Sequence, residues 1–171
     1  MFAVASIAIH YRVKFVMHHP RAGSLAEMGS LRVGQPAPDF TLPDLAGHSI
    51  TLNAYRGQKI VLMDFWASWC VPCRMAMPDL QELADKFKDR GLQILGVDQG
   101  ESADQVRNFL ERRKYSFQMV LDRDQAVGSR YGVSAIPVLV LVDKQGAVRW
   151  ISGGYSGHED DLQQLIAKLA K

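Results

Sequence analysis

The chain has 171 residues, 47% hydrophobic and 22% charged, which suits one domain of ordinary size with a packed core and excludes global disorder. Its formal net charge of +2 arises from 20 Lys+Arg against 18 Asp+Glu, so nothing calls for a nucleic-acid surface. Two cysteines exclude a disulfide framework and a four-thiolate zinc site within the chain, and leave open one bond or half of a zinc site.

Met1 to Ile9 is apolar but short, and Arg12 and Lys14 follow it, the reverse of the order in a secretory signal. No apolar run anywhere reaches the roughly 18 residues that a membrane span needs. Residues 1–30 are therefore expected to be a flexible extension or a degenerate export segment, and residues 31–171 the ordered domain. His18-His19 reads as a solvated pair in that extension rather than a metal site.

Pro36, Pro38 and Pro43 keep the next stretch extended. Phe40-Thr41-Leu42 and Ser49-Ile50-Thr51-Leu52 flank the turn-like Asp44-Leu45-Ala46-Gly47 and predict a hairpin, with a loop or one turn of helix over 53–57. Lys59 to Phe65 predicts a buried strand. A helix should run from about Cys70 to Lys88, with Leu80, Leu83, Ala84 and Phe87 at helical spacing and Gly91 past its end. Pro78 lies inside it, where it deprives the Arg74 carbonyl of a partner and should kink the axis.

Leu92 to Val97 predicts another buried strand. Ser102 and Gln105 fit a capping box that opens a helix to about Lys114. Phe117 to Leu121 predicts a strand, Asp124 to Tyr131 a short helix closed by Gly132, and Ile136 to Val142 the clearest strand of all. Asp143-Lys144-Gln145-Gly146 turns that strand into Ala147 to Ile151. Ser156 to Glu159 fits a second capping box, ahead of a final helix with Leu162, Leu165, Ile166 and Leu169 inward. The order is that of an α/β domain, a mixed sheet covered by helices on both faces.

Both cysteines sit in Phe65-Trp66-Ala67-Ser68-Trp69-Cys70-Val71-Pro72-Cys73, between a strand and a helix. Three residues apart in the first helical turn, they share a face and fall within the roughly 4.4–6.8 Å Cα separation that a disulfide bridges. Pro72 is tolerated there because first-turn amides lack intrahelical partners. The free N–H groups and the positive helix end favour an anion and lower the pKa of Cys70. Cys70 would attack a substrate disulfide, and Cys73 would then attack Cys70 and release the reduced substrate. Asp64, the one acid in the entering strand, should have its pKa raised by desolvation and take the Cys73 proton near neutral pH. The alternative is an Asp64 that points to solvent.

Asp64-Phe65-Trp66-Ala67-Ser68-Trp69-Cys70-Val71-Pro72-Cys73-Arg74, with Pro78 beyond, resembles the active site of the thioredoxin superfamily. Val33-Gly34-Gln35-Pro36-Ala37-Pro38-Asp39-Phe40, the 42–57 segment and the extra helix and strand over 102–121 resemble its TlpA/ResA-like, redoxin-type branch. The resemblance implies a thioredoxin fold with an N-terminal β-hairpin and a central βα insertion. It implies a cis Pro137 facing the cysteines, with Ile136, Pro137 and Trp69 contacting substrate and with Trp66, Pro72 and Pro78 supporting the motif. It also implies protein disulfide or dithiol substrates, an upstream thiol reductant, no cofactor beyond the Cys70–Cys73 couple, no bound metal, a monomer, and work as a reductant in the periplasm or cell envelope, or in the cytoplasm if residues 1–30 are not an export segment. Two positions depart from the branch: Ala76 stands where it often has glutamate, and Asp64 where it often has asparagine. Gly96 stands where thioredoxin carries the lysine partner of that acid.

Two other readings use the same fold. A peroxide reductase would resemble P-x-x-x-T/S-x-x-C, but Ala67 precedes Cys70 by three. A copper-delivery module would use Met75 and Met77 with the thiols, but it needs a later histidine, and none occurs between His48 and His158.

Overall fold

The computed structural model describes residues 27–154 and 159–170. The N-terminal expectations, His18-His19 included, and the 156–159 capping box lie outside the described residues. The strands are β1 (Glu27–Met28), β2 (Leu31–Arg32), β3 (Thr41–Pro43), β4 (Ser49–Thr51), β5 (Ile60–Trp66), β6 (Leu92–Gln99), β7 (Gln118–Asp122), β8 (Val138–Val142) and β9 (Val148–Gly153). The α-helices are α1 (Val71–Phe87), α2 (Ala103–Leu110), α3 (Ala126–Arg130) and α4 (Glu159–Leu169). The central sheet runs β7-β6-β5-β8-β9. β5, β6 and β7 are parallel, joined by helical crossovers, while β8 and β9 are antiparallel additions.

All seven residues of β5 are buried, and their alternation divides the core in two. Ile60, Leu62 and Trp66 pack on one face with Cys73, Met77, Leu80, Leu83 and Phe87 of α1 and with Leu162 and Ile166 of α4. Val61, Met63 and Phe65 pack on the other face with Phe40, Leu42, Val127 and Tyr131. β3 and β4 form the expected hairpin, Leu42 opposite Ile50, followed by one 3₁₀ turn over Leu52–Tyr55. β1 pairs with β2 four residues ahead of the expected start at Leu31.

Element ends differ from the sequence expectation, three of them for a visible physical reason. α2 stops at Leu110 rather than Lys114. Beyond it, Gln81 of α1 takes the Ser116 N–H on its side-chain oxygen and donates to the Ser116 hydroxyl, so 111–117 is drawn out toward β7. α3 starts at Ala126, because Gln125 is left-handed at φ 57. The capping acceptor is Asp122, four residues upstream, which takes the Val127 and Gly128 N–H groups at 3.1 and 2.7 Å. β8 starts at Val138 rather than Ile136, since Pro137 has no N–H to give the ladder. The Ser102–Gln105 capping box is present as read, and α1 runs unbroken through Pro78.

Candidate active site

β5 ends at Trp66, and the chain reaches α1 through Ala67, Ser68 and Trp69. Cys70 is the N-cap residue of α1, and its Sγ accepts the Cys73 N–H at 3.2 Å. Pro72 occupies the first turn, where a missing N–H costs nothing. Cys70 and Cys73 form a disulfide with their Cα atoms 5.3 Å apart. Cys70 is 4% exposed and Cys73 0%, so an incoming sulfur meets Cys70 first.

The Ile136–Pro137 bond is cis, as the resemblance implied. This loop faces the pair: the Ile136 carbonyl oxygen lies 3.8 Å from Cys70 Sγ. A hollow of about 340 Å³ beside it is lined by Trp69, Gln99, Gln125, Val133 and Ile136. Trp69 is 67% exposed, and Val71 and Met75 are also open to solvent, which leaves an apolar rim around a nearly covered sulfur. Trp66 points the other way, fully buried against Phe109, whose ring also carries the Arg113 guanidinium at 3.9 Å.

Asp64 is fully buried, which rules out the solvent-facing alternative. Strand alternation places its side chain on the same sheet face as Cys73. Neither carboxyl oxygen has a hydrogen-bond partner among the described residues, and burial pushes the pKa up to about 8. The residue beside it on β6 is Gly96. A Cβ there would stand 2.4 Å from Met119 Sδ and 3.0 Å from Trp66 Nε1, so packing leaves no room for a cation partner.

Ala76 is buried, so α1 supplies no acid one turn after Cys73. Met75 is exposed and Met77 fully buried, so the two thioethers do not converge as a copper pair would require. Sequence reasoning missed Glu101. It is buried, and its carboxylate takes the Ser68 N–H and the Ser68 hydroxyl at 2.5 and 2.6 Å. The available signal was positional: an acid just past the end of the strand parallel to the one that enters the cysteine motif.

Two sulfurs that open and close at the head of a helix perform dithiol–disulfide exchange, and the mixed sheet beneath them is that of the thioredoxin-fold oxidoreductases. Residues 33–151 match the AhpC/TSA family. The chain is 42% identical over 139 residues to the thiol-disulfide oxidoreductase ResA of Geobacillus kaustophilus strain HTA426, covering 81% of this chain and 79% of that one. It is 40% identical over 144 residues to the protein of the same name from Geobacillus thermodenitrificans strain NG80-2, covering 84% and 82%. The thioredoxin domain of a thiol-disulfide oxidoreductase from Bacteroides vulgatus superposes with a TM-score of 0.72 at 33% identity, over 83% of this chain and 100% of that one. The chain belongs to the AhpC/TSA family, and within it to the ResA-like thiol-disulfide oxidoreductases.

Proposed function

We propose that the Cys70–Cys73 couple reduces disulfides in protein substrates, with Cys70 as the attacking sulfur. The observation that carries this is the Cys73 N–H at 3.2 Å from Cys70 Sγ, at the N-terminus of α1. Those donors stabilise a thiolate on Cys70, while Cys73 is sealed beneath it.

The Cys70 thiolate attacks one substrate sulfur, forming a mixed disulfide, and the other substrate sulfur leaves as thiolate and takes a proton. Cys73 gives its proton to ionised Asp64, directly or through water, and attacks Cys70 Sγ. The Cys70–substrate bond breaks, the substrate sulfur held in it leaves as thiolate and takes a proton, two electrons have passed to substrate, and an upstream thiol reductant restores the dithiol. The two sulfurs carry both electrons, so no other cofactor or metal enters the reading. Trp69 and the Ile136–Pro137 loop hold an extended substrate segment against Cys70, supported by the exposure of Trp69 and the hollow between them. The protein acts as a monomer outside the cytoplasm, a placement that follows the family resemblance. Among the described residues no helix is long and apolar enough to cross a membrane. Peroxide reduction gains no support, since Ala67 offers no hydroxyl and that of Ser68 is held by Glu101.

Equilibration with glutathione and titration with a protein disulfide test this. A reductant's couple should lie near that of thioredoxin, about −270 mV, and a value near about −120 mV, that of the strongest oxidants on this fold, would reverse the assigned direction. Cys70→Ser should abolish exchange and Cys73→Ser should accumulate mixed disulfides visible by mass. Exchange that survives Cys70→Ser removes the attacking role from that sulfur.

A further inference from the structure

The Glu101 carboxylate has no part in the steps above, yet it holds Ser68, which lies two residues before the attacking sulfur. Ser68 presents two donors, its N–H and its hydroxyl, and each meets a different oxygen of Glu101, at 2.5 Å to Oε2 and 2.6 Å to Oε1. Two short bonds to the two oxygens of one carboxyl group form a strong, directional grip. Glu101 is 5% exposed, so water competes weakly for it.

The grip ties together two loops. Trp66 and Asp98 are in parallel register, so the chain leaving β5 and the chain leaving β6 emerge side by side. Gly100, at φ 90, turns the second loop back toward the first, and a Cβ there would meet Gln125 Nε2 at 2.7 Å. Glu101 is fixed from behind as well: its own N–H donates to Asp98 Oδ1 at 2.9 Å. Ser102, the next residue, caps α2.

We propose that Glu101 is a positioning residue for disulfide exchange: by gripping both donors of Ser68 it fixes the turn that sets Cys70 Sγ against the Cys73 amide. The inference rests on Cys70 being the attacking sulfur. A hydrogen bond to the thiolate weakens steeply as its angle opens, so a loosened Ser68–Trp69 turn leaves Cys70 less acidic and less reactive. The carboxylate acts through the backbone and touches neither sulfur nor substrate.

The test follows Cys70 alkylation by iodoacetamide against pH in the reduced full-length chain, together with kcat/KM for a protein disulfide. Glu101→Gln keeps the size but turns an –NH₂ group toward one of the two donors. It should raise the alkylation midpoint by about one pH unit and lower kcat/KM at pH 7 by about tenfold. Ser68→Ala loses only the hydroxyl bond and should move both readouts the same way, by roughly threefold in rate. Ser68→Thr restores the hydroxyl and should bring both back to within about twofold of wild type. A fall in melting temperature with midpoint and rate unmoved would overturn the positioning role. Should Glu101→Gln fail to fold, the Ser68→Ala and Ser68→Thr pair decides, and equal behaviour of those two variants overturns the proposal. A wild-type protein that shows no preferential labelling of Cys70 overturns the parent reading as well, whereas normal wild-type labelling with unmoved variants overturns the clamp alone.

Discussion

Neither oxygen of Asp64 meets a donor among the described residues, and burial pushes its pKa up to about 8, so at pH 7 only about a tenth of molecules are ionised there. That fraction can accept the Cys73 proton, and it grows as pH rises through about 8. Collapse of the mixed disulfide should therefore accelerate over that range. Asp64→Asn keeps the shape and removes the proton acceptor. Release from a preformed Cys70 mixed disulfide, followed by stopped-flow at pH 7.5, should slow by roughly tenfold or more. At strongly alkaline pH Cys73 loses its proton to hydroxide and the two proteins should converge. Equal rates at pH 7.5 would remove Asp64 from the reaction.

β6 has shaped itself around that acid. Gly96 lies directly beside Asp64, and Met119 Sδ and Trp66 Nε1 fill the space that a side chain there would need. Gly96→Ala should cost about 1–3 kcal/mol by overpacking, read as a lower midpoint in urea denaturation at unchanged m-value. No loss would mean that Met119 repacks freely. The elements themselves were readable because their signals are local: branched apolar runs made β5 and β8, helical spacing made α1, and Ser102 with Gln105 announced α2. The cysteine site was readable for the same reason, its chemistry being written in nine consecutive residues. Where α2 ends was not readable, because the Gln81 side chain that holds Ser116 comes from a different helix. Nor was Glu101, whose partner Ser68 is 33 residues away and is brought near only by the parallel pairing of two strands. Asp64 lies between these cases: its burial followed from the apolar run, but its lack of a partner depended on the packing across β6.

At the scale of the whole molecule, two fully buried acids on neighbouring strands share one titration window. Asp64 is pushed up to about 8 by burial, and Asp98 to about 8 by burial first and then by the Glu101 and Asp122 side chains. Below the ordinary carboxylate value of 3.8 the folded and unfolded chains both hold these protons, and no penalty arises. Between 3.8 and about 8 the unfolded chain has released them while the folded chain has not, so the native state binds more protons and stability falls as pH rises. Above about 8 both states are ionised and the penalty stays constant. Urea denaturation of the disulfide form at pH 5, 6, 7 and 8 should show this decline, with Asp64 contributing at most about 1.4 kcal/mol per pH unit. Asp64→Asn should flatten the decline by that amount without abolishing it, because Asp98 still titrates in the same range. A wild-type and Asp64→Asn pair with parallel stability curves would mean that Asp64 binds its proton equally in the folded and unfolded chains, so it would already be ionised at neutral pH and the acceleration of mixed-disulfide collapse through about pH 8 would be lost.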